Sequence, residues 1–196
     1  MDDALPPDLA ALEQQLSGAE QDARSLAADM SGQPEARPAG TGAWNVAECL
    51  DHLAITNRVY LRAMEVAAIQ AHRQQRKRRG PATPGWVGRW FANTVEPPAS
   101  LDSKLKRRFK APAIIRPRNA PALSDALSDF LAAQAEVRTF LRSYADIDLA
   151  GVHFRNPLVP GIRFSLATGL HVIAAHERRH LWQARRVQQE QENRVR

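Results

Sequence analysis

WNVAECLDHLAITNRVYLRAMEVAAIQ (residues 44–70) reads as one uninterrupted helix with two apolar sides. Its start is signalled locally. Asn45 can cap, and Glu48, three residues later, can reach back to the Asn45 backbone N–H. Leu50, Leu53, Ala54, Leu61, Met64 and Ala68 share one face. Ile55, Val59, Ala63 and Val66 form another, roughly opposite, and His52 falls with this second set. A helix apolar on two sides is buried on two sides. One side suits the core of a bundle and the other a second contact, such as a dimer interface.

Working outward from this helix, which runs to about residue 75, three more follow from apolar spacing. Residues 8–30 place Leu9, Leu12, Leu16, Ala23, Ala27 and Met30 on one face. Residues 121–145 carry a stripe of Leu123, Leu127, Phe130, Val137, Leu141 and Tyr144, with Pro121 suited to a first turn. The last helix runs from about Ser165, a candidate N-cap, to about residue 189. SGQPEARPAGTG (31–42) reads as a loop, and the connection at 146–164 also holds Pro and Gly. No segment alternates apolar and polar β-branched residues as a strand should. The expected fold is all-α, a four-helix bundle in a single domain spanning 1–196.

Residues 76–120 are the irregular part. Gly80, Pro81, Pro84 and Gly85 break the second helix, and the segment is long for a structureless loop. Trp86, Trp90 and Phe91 predict a short helix packed on the bundle. The net charge of +6 is also concentrated here: residues 71–118 carry 13 Lys/Arg against Glu96 and Asp102, a net of +11, which leaves −5 for the rest. Residues 73–118 thus have the charge and aromatics of a nucleic-acid contact. No helix-turn-helix or other such module accompanies them, and a solvated loop, or one covering the acidic remainder of the molecule, is the favoured reading.

One cysteine, Cys49, excludes an intrachain disulfide framework. No run approaches 18 apolar residues, and MDDALPPDLA lacks the basic-then-apolar layout of a signal peptide. A cytoplasmic protein with no membrane partner is expected.

The chemistry centres on AHERRH (175–180). His176 and His180 lie one helical turn apart and on or beside the face that must be buried. A buried neutral imidazole needs partners, and a shared metal ion is one way to satisfy two together. The spacing alone is a weak signal. A three-ligand site needs a third residue. The other histidines are His52 in mid-helix, His72 beside the basic run, His153 in a loop, and His171, which points away.

Two motifs now bear together. WNVAECLDHL (44–53) resembles the Trp-x-x-x-Glu-x-x-x-His-Leu start of the second helix in the DinB-like superfamily. FRNPLVPGIRFS, followed by HERRHLWQ (176–183), resembles that family's Pro/Gly turn and final His-x-x-x-His helix. The resemblance implies a four-helix bundle of up-up-down-down connectivity with long crossovers. It also implies a divalent metal, Zn or Ni, held by His52, His176 and His180. It further implies a homodimer, and metal-dependent transfer, isomerisation or hydrolysis on a small molecule, often thiol-dependent. The basic 76–120 connection departs from the family pattern in length and charge. A non-enzymatic dimeric bundle is the alternative.

Around this site, Glu48 is a candidate to orient His52, with the helix cap as its other role. Glu177 is a candidate general base, with an arginine pair as its other role. Cys49 reads as a small buried apolar side chain. Trp44 is placed to wall a pocket, and Gln183 to meet a bound substrate.

Overall fold

The computed structural model describes residues 4–30, 44–100 and 110–195. The loop expected at 31–42 lies outside the described residues, as do Lys104, Lys106, Arg107 and Arg108 of the basic segment. Four long helices form the bundle: α1 (Pro7–Asp29), α2 (Val46–Arg73), α4 (Leu123–Ser143) and α5 (Leu166–Val195). A short α3 (Trp86–Thr94) lies in the long second connection, followed by a single 3₁₀ turn at Ala113–Ile115.

Local chemistry sets these boundaries. The capping box at α2 is complete: Glu48 N–H donates to Asn45 Oδ1 at 2.7 Å, and Asn45 N–H to Glu48 Oε2 at 2.9 Å. At α5, Ser165 Oγ accepts from the Thr168 N–H at 3.1 Å, as its expected cap role requires. Pro121 precedes α4 and is not part of it. Ala122 takes the N-cap position instead.

The helix directions correct the expected connectivity. Arg142 and Arg138 of α4 bond Glu13 and Glu20 of α1, so these helices are antiparallel. Arg178 bonds Gln15, and Arg185 bonds Asp22, so α5 runs parallel to α1. His52 approaches His176 while Met64 lies against Gly169, so α2 and α5 are antiparallel. The order is up, down, down, up, not up-up-down-down. The physical reason is that the second connection is the longest and, among the described residues, is partly helical, so it can carry the chain back along the bundle between the parallel neighbours α2 and α4.

Two apolar clusters fill the interior. One gathers Leu9, Leu12, Leu16, Met64 and Leu141 with Phe154 and Phe164. The other gathers Leu26, Leu50, Leu53, Phe130 and Leu181. Phe154 and Phe164 sit on a hairpin that the sequence reading placed in a loop: β1 (His153–Arg155) pairs antiparallel with β2 (Arg163–Ser165), Phe154 opposite Phe164. Three-residue strands are too short to show alternation, yet they bury the two rings and turn out His153, Arg155 and Arg163.

The short helix is where expected, and Phe91 packs on the bundle with its ring 4.9 Å from that of Phe164, but the two tryptophans do not. Gly88 and Ala92 are buried, while Trp86 and Trp90 are 78% and 59% exposed. A Cβ on Gly88 would lie 2.4 Å from Thr168 Oγ1, so only glycine lets α3 sit this close to α5. Among the described basic residues, three pair with acids elsewhere: Lys77 with Asp146, Arg78 with Asp8, and Arg118 with Asp51 and Asp129. To that extent the basic connection does cover the acidic remainder. Among the described residues, no helix is long and apolar enough to cross a membrane.

Candidate metal centre

The α2 and α5 helices face each other where His52 meets His176 and His180. His52 Nε2 lies 3.3 Å from His176 Nε2. The ring centroids are 5.0 Å apart for His52–His176, and 4.5 Å for both His52–His180 and His176–His180. One nitrogen of each ring lies within 4.8 Å of the others. Trp44 packs beside them, 4.5 Å from the His52 ring and 5.6 Å from His180. It walls the pocket, as its place before the helix cap suggested.

The orientation of His52 comes from the backbone. Its Nδ1 donates to the Ile115 carbonyl at 2.5 Å, which leaves the Nε2 lone pair facing the other two rings. Sequence reasoning offered Glu48 either this task or the helix cap and favoured the cap, and its carboxylate does close the capping box. A carbonyl in a loop 63 residues away carries no side-chain signal. The segment that supplies it is pinned by Arg118, which donates from its backbone N–H at 2.7 Å and from its guanidinium to the buried Asp51.

Burial keeps all three imidazoles neutral. It lowers His52 to about 4, against the opposing Ile115 bond and the charge of Asp51. Burial likewise pushes His176 well below the usual histidine value, helped by His52 and Arg179. His180 follows the same pattern, with its neighbouring rings and Arg179 adding to burial and a Gln183 bond opposing. The Nδ1 atoms of His176 and His180 are buried without a hydrogen-bond partner among the described residues.

Neutral imidazoles with convergent nitrogens are the donor set a borderline-soft divalent cation takes. Two nitrogens on one tetrahedral zinc stand about 3.3 Å apart, given bonds of about 2.0–2.1 Å. The His52–His176 spacing matches this, and so the residues present fit such an ion.

The remaining histidines stand elsewhere. His72 is exposed near Asp146, and His153 is exposed on β1. His171 bonds the Ala82 carbonyl at 3.2 Å. The Cys49 thiol is fully buried, and burial pushes it well above the usual thiol range, which fits its reading as a packed side chain.

Glu177 points into the bundle and does not line the cavity beside the triad. Its carboxylate accepts from Asn57 Nδ2 at 2.7 Å and from Gln134 Nε2 at 3.0 Å. Gln134 also donates to the Leu16 carbonyl at 3.1 Å, so one buried network touches α1, α2, α4 and α5. Burial raises Glu177 to about 8 against these two amide bonds. The sequence offered Glu177 as a base or an arginine partner and missed Asn57 and Gln134. Only a match of polar residues on three core faces could have found them.

The triad opens onto a cavity of about 830 Å³. Gln183 and Arg179 line it beside the histidines, and Phe91, Val172, Ile173 and Leu158 give it an apolar wall. This volume is in the range that holds a small organic molecule. Arg179 Nη1 also lies 3.4 Å from the carbonyls of Thr94 and Glu96, at the C-terminal end of α3.

Comparison with known proteins adds one finding. No curated protein and no solved structure matches the chain. A family model described as the DinB superfamily matches residues 15–184, which span all five helices but for the first turns of α1 and the end of α5. With its motif histidines brought to one point of the bundle, the chain belongs to the DinB superfamily.

Proposed function

We propose that the chain is a metal-dependent enzyme in which His52, His176 and His180 hold a divalent ion, Zn or Ni, at the edge of a cavity for a small organic substrate. The observation that carries this reading is the convergence of three neutral imidazoles, His52 and His180 buried and His176 half-buried, on one point that opens into so large a cavity. Nothing in the packing of a non-enzymatic bundle requires such an opening. Bound there, the ion supplies Lewis acidity and an open position for a substrate atom.

The chain's own residues do the rest. The Ile115 carbonyl fixes the His52 tautomer. Trp44 and the apolar wall exclude water from one side of the triad. Gln183, bonded to His180, stands at the cavity lip. The reaction class proposed is transfer or hydrolysis, with a thiol as the co-substrate implied by family membership.

Metal content decides the matter. Protein purified without a His-tag should carry about one equivalent of Zn or Ni, and His180→Ala should lose it. A parent protein that takes up no stoichiometric metal, even when offered Zn or Ni, ends the reading.

The same reading includes a homodimer through the outer face of α2, where Val66 is 62% exposed. Sedimentation should then show a dimer at micromolar concentration, and a monomer would remove this part.

A further inference from the structure

The α3 helix has two faces. Gly88 and Ala92 are buried against the bundle, and Phe91 beside them lines the cavity. The opposite face carries Trp86 and Trp90, one turn apart, with Val87 44% exposed next to them. Arg89 is exposed on the same outer arc. At 100° per residue, these four side chains span about 160° of the helix. Aromatic side chains gain most from leaving water, so two tryptophans left in it together mark a contact.

The hairpin adjoins this helix. The Phe91 ring packs on Phe164 of β2, and Gly88 abuts Thr168 in the first turn of α5. With Phe154 and Phe164 buried, the two strands turn Arg155 and Arg163 outward, directly opposite each other. Like charges opposed across a strand pair are destabilising. Among the described residues, no ion pair involves Arg89, Arg155 or Arg163. The sequence offers them no local acid either, since residues 79–95 and 149–176 contain no Asp or Glu. The patch is aromatic and positive, and its complement is an anionic surface.

Shape and size favour lipid. A single strand of nucleic acid is held in a groove, whereas Trp86 and Trp90 project from a helix on the outside of the bundle and line no part of the cavity. Two indoles bury about 150–250 Å² each, well short of the roughly 800 Å² per partner of a standard protein interface. A lipid headgroup layer needs no shape match, and tryptophan and arginine are the side chains it takes. We propose that α3 and the β1–β2 hairpin dock the chain on an anionic lipid surface, with Trp86 and Trp90 at headgroup level and Arg89, Arg155 and Arg163 on the lipid phosphates. The expectation of no membrane partner rests on the lack of a spanning run, and a helix lying in the interface needs none. The inference does not depend on the metal.

Co-flotation with lipid vesicles tests it, on metal-free and metal-loaded protein alike. The parent should bind phosphatidylcholine vesicles containing a quarter phosphatidylglycerol at about millimolar lipid or below, and pure phosphatidylcholine about tenfold more weakly. Trp86→Ala with Trp90→Ala should weaken binding to the mixed vesicles about tenfold or more. Arg155→Gln with Arg163→Gln should weaken it about tenfold and melt no lower than the parent, because opposed like charges are removed. All of these side chains are exposed, so both double variants should keep the parent's circular dichroism. No binding of the parent to mixed vesicles at millimolar lipid, or binding that either double variant leaves unchanged, would overturn the proposal. So would another occupant: a single-stranded oligonucleotide bound, or self-association in sedimentation, that the tryptophan variant abolishes while vesicles stay unbound.

Discussion

The Ile115 carbonyl accepts a hydrogen bond from His52 Nδ1 across 63 residues of sequence. That bond ties a residue of the long basic connection to a candidate ligand on α2, and it makes this connection part of the site. Arg118, three residues on, is the clamp, because it holds Asp51, next to His52, and Asp129 of α4.

Arg118→Ala should therefore act at a distance. The Asp51 carboxylate, 1% exposed, loses its guanidinium partner, at a cost of about 1–3 kcal/mol. His52 also loses a fixed tautomer, so affinity for Zn should fall about tenfold or more. Urea unfolding and Zn competition titrations read the two effects separately. A loss of stability with unchanged Zn affinity would show that the segment does not orient His52.

The same connection is fastened at its other end by Asp8, whose carboxylate bonds Arg78 and the Ala82 N–H. Burial acts to raise the Asp8 pKa, but the Arg78 bonds and the Ala82 N–H outweigh it and hold the group below its ordinary value. A depressed folded-state value contributes stability above the unfolded carboxylate pKa, and that stability is lost as pH falls through the folded one. Asp8→Asn should thus cost about 1 kcal/mol at pH 7 and less at about pH 3, read from urea midpoints at both. An equal cost at the two pH values would mean that the charge is not what holds this corner.

Some of the architecture can be read directly from residues. His176 and His180 are a pair because a helix repeats every 3.6 residues, and Asn45 with Glu48 announce a helix start by spacing alone. His52 joined them through a motif resemblance, since its own helix gave it two apolar faces to choose from. What escaped were features without a local pattern. Helix direction depends on which connections must run the length of the bundle. The Glu177–Asn57–Gln134 network joins residues from distant segments. On α3, tryptophans suggest burial, but the close approach to Thr168 demands the small side of the helix, Gly88 and Ala92, and leaves Trp86 and Trp90 outside.

Gly169 sets the spacing of α5 against α2. A Cβ there would lie 2.3 Å from Met64 Sδ and 3.0 Å from two carbons of the Phe154 ring. Met64 is fully buried and Phe154 nearly so, which leaves little room for either to yield. Gly169→Ala should destabilise by about 1–3 kcal/mol through overpacking, despite the better helix propensity of alanine. A gain in thermal stability would mean that the interface relaxes freely.

Glu177 is the strongest test of how the core is organised, because it lies between two candidate ligand positions in sequence yet serves another purpose in space. Its two oxygens satisfy one amide hydrogen each from Asn57 and Gln134, and all three residues are fully buried. Glu177→Ala would strand both donors and open a void, for a combined cost of about 2–4 kcal/mol. Glu177→Gln resembles the protonated carboxyl that burial favours, keeps the volume, and should cost less than half as much. Neither variant removes a cavity-lining group, so both should retain Zn stoichiometry where they fold. Measured together, unfolding free energy and metal content separate the roles. If Glu177→Gln proved as costly as Glu177→Ala, the ionised carboxylate would be what the two amides need. If either variant folded but lost the metal, Glu177 would belong to the metal centre instead of the core.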